Sequence, residues 1–368
     1  MTRRRATLTK SLLFSAIGLL AIALPSAFGQ VGDLLVGDVA SNTIKRFNAT
    51  TGAPVGTNGT FASGGGLDTP FGLAYGPDGN LYVSSLGTGT VLEYNGTTGS
   101  FIGTFITKGQ AGLHYPNQIA FGADHNLYVS SYNPSAPGTI LEYAGPTGGV
   151  SPGTFLRSFT DTHLMGATGL AFGTTGGVLN NELYVSSSID SGTPTAHASI
   201  FRFDTSVSGS ATSGTLFASD PNLHSTAGLS IDPNGNIVAA NFNGTNSSIT
   251  RYDPNTGQNI DGGAFASTVP IFGNIDGPAV AIFGSDLKMY VASYARNAVF
   301  RFNSSTGAYD STFVAKGGVL GQPLYMTFMP VSVGAANFSA VPEPGSIALL
   351  GLGLAGIYGY RRVRRQRD

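Results

Sequence analysis

The stretch Asn80-Leu81-Tyr82-Val83-Ser84-Ser85 (NLYVSS) returns unchanged at 126–131. Variants stand at 33–38 (DLLVGD), 182–187 (ELYVSS), 236–241 (NIVAAN) and 288–293 (KMYVAS). Six copies spaced 46 to 56 residues apart describe one structural unit stacked on itself. Working outward from 80–85, the apolar, small-residue run FGLAY (71–75) precedes the phrase. Gly76-Pro77-Asp78-Gly79 between them is a turn signal. Gly87-Thr88-Gly89 turns the chain again into a third strand, VLEY (91–94), and NGTTG (95–99) is a hairpin loop into a fourth at 101–106. Four short antiparallel strands in about 40 to 50 residues make a propeller blade.

The same order recurs along the chain. First-strand phrases stand at 118–122, 169–173, 228–232 and 279–284, and third-strand phrases at 140–143, 200–203, 249–252 and 299–302. Gly and Ala suit the first strands, because strands nearest an axis crowd together. The repeats begin at a second strand, 33–38, with no first strand before it. They end on a first strand alone, 323–329. The expected fold is therefore an all-β, six-bladed β-propeller with four antiparallel strands per blade. One C-terminal strand plus three N-terminal strands make a split blade that closes the ring and leaves no open edge. The pattern carried by Pro70, Gly72, Leu73, Ala74, Asp78, Gly79, Asn80, Leu81, Tyr82 and Val83 resembles NHL-type and related six-bladed propellers. That resemblance spans residues 33–330 and implies a fold rather than a function, since such rings host binding modules, lyases and lactonases alike.

The two ends read as processing signals. Arg3, Arg4, Arg5 and Lys10 precede an apolar run at 11–24, too short for a comfortable membrane span. Ala27-Phe28-Gly29 offers small residues to a signal peptidase, so 1–29 reads as a secretory signal peptide. At the other end Pro342-Glu343-Pro344 is followed by a Gly-rich apolar stretch, 346–360, and then Arg361, Arg362, Arg364 and Arg365. These three parts, in this order, resemble the PEP-CTERM sorting signal of exported Gram-negative proteins. The resemblance implies cutting by an exosortase after transient membrane contact through the C-terminal helix, and a destination at the cell surface or in the extracellular matrix. Residues 331–340 read as a linker between the propeller, 30–330, and the sorting signal, 341–368.

The ends also distort the charge. The whole chain carries −1, but residues 30–340 hold ten Lys and Arg against eighteen Asp and Glu, a net of −8. An acidic body argues against nucleic acid as a partner. With no Cys there are no disulfides, thiolate metal sites or Cys nucleophile. Gly is abundant at 53 and charged residues make only 11%, the composition of short strands and tight turns.

Candidate site residues lie at one mouth of the expected ring. His114, His163 and His224 stand in loops entering first strands, where they offer a metal or acid–base site for a secreted lyase or hydrolase. No carboxylate shares their phrase, and the first-strand positions Phe71, Gln118, Thr168, Ala227 and Pro278 are uncharged, so neither metal nor cofactor is expected. The run from Asp253 to Asp261 alternates oxygen ligands but lacks a closing Glu, and reads as a β-turn. Seven N-x-S/T triplets, Asn48, Asn95 and Asn303 among them, read as turn residues. The favoured expectation is a non-enzymatic module binding a protein or polysaccharide. Tyr132, Asn241 and Tyr294 follow second strands at the same mouth as Asn117, Gln118 and Thr168, and exposed Tyr and Asn suit sugar stacking and hydrogen bonding. On the third strands, Arg46 is expected to pair with Glu93, and Glu142 with Arg202, as solvated contacts between adjacent blades.

Overall fold

The computed structural model describes residues 32–190, 198–242, 246–270 and 273–331. The expected signal peptide, the sorting signal and all of the linker except Val331 lie outside the described residues, as does His197.

Six antiparallel sheets account for the described strands. The second blade, for example, runs Pro70–Tyr75, Leu81–Ser85, Thr90–Tyr94 and Phe101–Ile106 from the inside outward. The first blade takes its inner strand, Pro323–Phe328, from the far end of the chain, paired antiparallel with Leu34–Asp38. Thr43–Phe47 and Thr60–Ala62 complete it. Successive inner strands touch in cyclic order, and Pro323–Phe328 contacts the inner strands of both the second blade and the sixth. Helix among the described residues is limited to two three-residue 3-10 turns, Thr57–Gly59 and Gln110–Gly112.

Two blades depart from the regular unit. In the fourth, Leu164–Thr175 and Val178–Asp190 form a hairpin far longer than its neighbours. In the fifth, only three strands form, Thr226–Ile231, Ile237–Asn241 and Ser248–Tyr252. Isolated bridges, Ile249 to Ala266 and Tyr252 to Asn259, take the place of its outer strand.

The repeated phrase is buried after its first, half-buried residue, and its aromatic and hydroxyl positions each have a task. In the second and third blades, and again in the sixth, the tyrosine packs edge-on against the last aromatic of the next inner strand. These pairs are Tyr82–Phe121, Tyr128–Phe172 and Tyr290–Phe328, with centroids 4.9 to 5.2 Å apart. Such pairs contribute about 0.5–1.5 kcal/mol beyond their burial. Each of these hydroxyls donates to the aspartate of the preceding turn, Asp78, Asp124 and Asp286, at 2.8 to 3.1 Å. Burial, and then the Glu93 and Asp78 charges, push the Tyr82 phenol far above its ordinary range, so it stays a proton donor.

The two serines divide their work. Ser84 Oγ accepts from Gly72 N at 2.6 Å on its own inner strand and donates to Asn117 O at 2.5 Å on the next blade. Ser130 and Ser186 reach the next blade in the same way, through Thr168 O and Thr226 O. The following position, Asp38, Ser85, Ser131, Ser187, Asn241 or Ser293, fastens the loop that enters its own blade.

Inner strands crowd as expected. A Cβ on Gly72 would lie 2.6 Å from Asn117 O, and one on Gly228 2.5 Å from Ala279 O. The NGTTG loop is a docking element as well as a turn. Asn95 Oδ1 accepts from the Thr97 and Thr98 amides at 3.1 and 2.8 Å. Gly99, at φ +74°, lies so close to the outer strand of the preceding blade that a Cβ would sit 1.8 Å from Phe61 O.

The third-strand charges pair differently from the sequence expectation. Arg46 binds Asp33 at 2.7 Å, Glu93 accepts from Asn80 at 2.7 Å, Glu142 takes Arg157, and Arg202 binds Glu182 at 3.2 Å. Each partner lies in the same blade. Side chains directly across a ladder are about 5 Å apart, whereas stacked sheets are about 10 Å apart, so the sheet supplies the nearer partner.

Candidate functional site

The inner strands hold one position in common, occupied in blade order by Tyr325, Gly72, Gln118, Gly169, Gly228 and Val280. Where three glycines leave room, Gln118 and Tyr325 fill it. Gln118 Oε1 accepts from Leu170 N at 2.9 Å, Leu229 N at 3.1 Å and the Tyr325 hydroxyl at 3.1 Å, and its Nε2 donates to Leu229 O at 2.9 Å. Tyr325 also lies within 2.6 Å of Ala227 O and stacks on Phe71 at 5.0 Å. Burial holds its phenol well above the ordinary range. Four of the six inner strands are thus tied together through two side chains on the axis.

An apolar cavity of about 300 Å³ opens beside this network. Phe71, Ala227, Ala279 and Leu324 line it, each one residue ahead of the shared axial position. Val39, Leu86, Phe242 and Tyr294 line it as well. These four follow copies of the repeated phrase, and Tyr132 and Ser188 are their counterparts in the third and fourth blades. Phe242 and Tyr294 pair at 6.1 Å, and Tyr132 pairs with Tyr115 at 6.2 Å, with His114 against Tyr115 at 4.4 Å. Phe242, Tyr132 and Tyr115 are all exposed.

The expected ligand residues therefore divide. Tyr294 lines the cavity, and Tyr132 is exposed against Tyr115 on the third blade, outside the cavity lining. Gln118 belongs to the axial network. Asn117 is buried and donates to Ala167 O at 2.9 Å on the next blade. Thr168 donates to Thr226 O at 2.6 Å, again across blades. Asn241 is buried among His224 N, Thr226 and Thr250. Polar residues beside a strand entry look alike in sequence whether they face solvent or the protein; Asn117, Gln118 and Thr168 face backbone of other blades, and Asn241 faces hydroxyls of its own blade. Phe71, Leu86, Phe242 and Leu324 were missed. The signal that finds most of the rim is the residue after each phrase copy.

The histidines are held separately, each by its own loop. His163 Nδ1 lies 3.0 Å from Asp161 Oδ1, but that carboxylate also takes the His163 and Gly214 amides, as a turn does. Partial burial opposes ionisation of Asp161, yet the two amides and the imidazole bring its carboxyl below the ordinary value. His224 lines a different cavity, on the fifth blade. Among the described residues no three His, Asp or Glu gather as metal ligands. Asp253 is a turn residue, its Oδ1 accepting from Asn255 N and Thr256 N at 2.8 and 3.0 Å.

Residues 340–365 match the family described as the PEP-CTERM protein-sorting motif. The chain carries a PEP-CTERM sorting signal. Pro342, Glu343, Pro344 and the arginines Arg361, Arg362, Arg364 and Arg365 all fall within the match. PEP-CTERM proteins are exported and handled by exosortase, so the propeller is made for a compartment outside the cytoplasm. Among solved structures, a chain of a nidogen/laminin complex is similar over 81% of this chain and 98% of its own, at 14% identity and a TM-score of 0.55. A chain of Kuenenia stuttgartiensis hydrazine synthase covers 74% of each at 13% identity and a TM-score of 0.47. The PQQ-bound aldose sugar dehydrogenase of Streptomyces coelicolor covers 68% of this chain and 81% of its own, at 16% identity and a TM-score of 0.48. At these identities the likeness concerns the fold alone, and it rests on the first. No curated protein matches the chain.

Proposed function

We propose that this exported propeller is a binding module, without catalysis, that holds a polysaccharide or protein of the cell surface or extracellular matrix at the rim of its axial cavity. One observation carries the reading. Phe242 and Tyr294 line an apolar cavity whose lining residues Phe71 and Ala227 touch Tyr325, and Tyr115 and Tyr132 form a second exposed aromatic pair on the third blade. Large rings with a polar tip or edge bury much surface at little conformational cost, which suits the faces of sugars and the side chains of proteins. The sorting signal supports a role after export, and the acidic body disfavours nucleic acid.

The lyase or hydrolase alternative draws no support from the arrangement of His114, His163 and His224, which three separate loops hold. The test is capture of envelope polysaccharides and proteins by the purified protein, alone and as the Tyr132→Ala/Tyr294→Ala variant. A retained ligand that the double variant loses supports the rim. A ligand held equally by both places binding elsewhere.

A further inference from the structure

Against the fifth blade lies a second cavity, of about 390 Å³. Its lining includes three carboxamides, Asn222, Asn246 and Asn274, with hydroxyls such as Ser248 and Thr268, and His224. No Asp, Glu, Lys or Arg is among the lining residues. An uncharged polar lining of this size offers an ion no fixed counter-charge.

Several of these groups are fixed in place. Arg296 donates to Asn274 Oδ1 at 2.8 Å, which turns the carboxamide nitrogen away from the guanidinium. Asp220 accepts from Asn222 Nδ2 at 2.7 Å, so the Asn222 oxygen points the other way. Ser247 Oγ takes Gly277 N at 3.1 Å. Gly277 also lies against Phe242, where a Cβ on it would sit 2.9 Å from the ring. Gly277 thus stands between the Phe242 stacking surface and the hydrogen-bonding cavity.

We propose that this cavity is a subsite for a neutral sugar residue, with the next residues of the same glycan lying against Phe242 and Tyr294. It deepens the rim reading and rests on it, committing to a neutral glycan over a protein. Neutral sugars present paired donors and acceptors with no charge, which amides and hydroxyls match one for one.

The experiment measures equilibrium binding of the purified protein to hexasaccharides of glucose, mannose and N-acetylglucosamine, with hexagalacturonate as the charged comparison. At least one neutral hexasaccharide is expected to bind, and hexagalacturonate is not. Thr268 and Asn246 are exposed, so their variants leave the fold intact, as an unchanged melting temperature would verify. Thr268→Trp, filling the cavity, is expected to weaken binding about tenfold or more, and Asn246→Ala about threefold. Binding that survives Thr268→Trp but is lost in Tyr132→Ala/Tyr294→Ala overturns the subsite and leaves the rim standing. No binding of any neutral hexasaccharide also overturns the subsite, and leaves the rim to a protein ligand. Binding of hexagalacturonate as tight as that of the neutral sugars contradicts the uncharged-cavity argument.

Discussion

The Tyr325 hydroxyl meets the Gln118 side-chain oxygen at 3.1 Å, joining residues 207 positions apart on the axis of the ring. Both stand where the second, fourth and fifth blades have glycine. The Gln118 carboxamide satisfies Leu170 N, Leu229 N and Leu229 O as well. Gln118→Leu leaves these backbone groups without their side-chain partner at a partly buried site, and is expected to cost about 2–3 kcal/mol. Gln118→Gly, which opens a space that water can enter, should cost less. Tyr325→Phe removes one donor and should cost about 1 kcal/mol. Urea denaturation of the three variants checks this order.

Ser84 serves two strands from two blades at once, through Gly72 N and Asn117 O. Its counterparts in the fifth and sixth blades are Ala240 and Ala292, so the position accepts alanine sterically. Ser84→Ala is therefore expected to destabilise through unpaired backbone groups alone, by about 1–3 kcal/mol, with no change of fold by circular dichroism. A neutral effect would mean the serine bridges contribute nothing to holding blades together.

Glu142 is almost fully buried beside Arg157, whose guanidinium also reaches Thr205 O and Val207 O and lies 4.9 Å over the Phe159 ring. Burial pushes the Glu142 carboxyl up, and the Arg157 contact pulls it back. Arg157→Ala leaves that buried carboxylate without a counter-charge, held only by Asn126 Nδ2 at 2.8 Å, and is expected to cost about 3 kcal/mol. Glu142→Leu/Arg157→Met, removing both charges, should recover most of the loss. Thermal denaturation of single and double variants measures the difference.

Asp310 receives Lys288 Nζ at 2.9 Å and Arg301 Nε at 2.7 Å. The Lys288 bond first, then Arg301, bring its carboxyl down from 3.8 to about 2, against partial burial. A depressed folded value stabilises above the unfolded one and is lost as the acid form fills. The contribution should be complete above about pH 5 and be lost progressively towards about pH 1. Solvent screening limits it to roughly 1–2 kcal/mol. The stability gap between the wild type and Asp310→Asn should therefore close over that interval in acid denaturation.

The architecture was readable because one phrase carries it. A tyrosine, a valine and two small polar residues repeat since each blade meets the next through the same aromatic edge and the same hydroxyl. The fourth strand expected at 101–106 forms over those residues, Phe101–Ile106. The site was less readable. Asn117, Gln118, Thr168 and Asn241 have the composition of a ligand surface, but they spend their hydrogen bonds on neighbouring strands. That choice is made by the distance between blades, which a single sequence does not state. Phe242 and Leu86 were hidden for the opposite reason, as apolar residues that usually mean core. The loss of the outer strand in the fifth blade followed no local signal, because Phe265 and Ala266 still look like a strand.

The most direct test places the two functional readings in one assay. Binding of a captured envelope ligand is measured for the wild type, for Tyr132→Ala/Tyr294→Ala and for His114→Ala/His163→Ala, with melting temperatures taken beside each. The account predicts at least about a tenfold loss for the tyrosine pair and less than about twofold for the histidine pair. Binding that tolerates the tyrosine changes and fails with the histidines would contradict it.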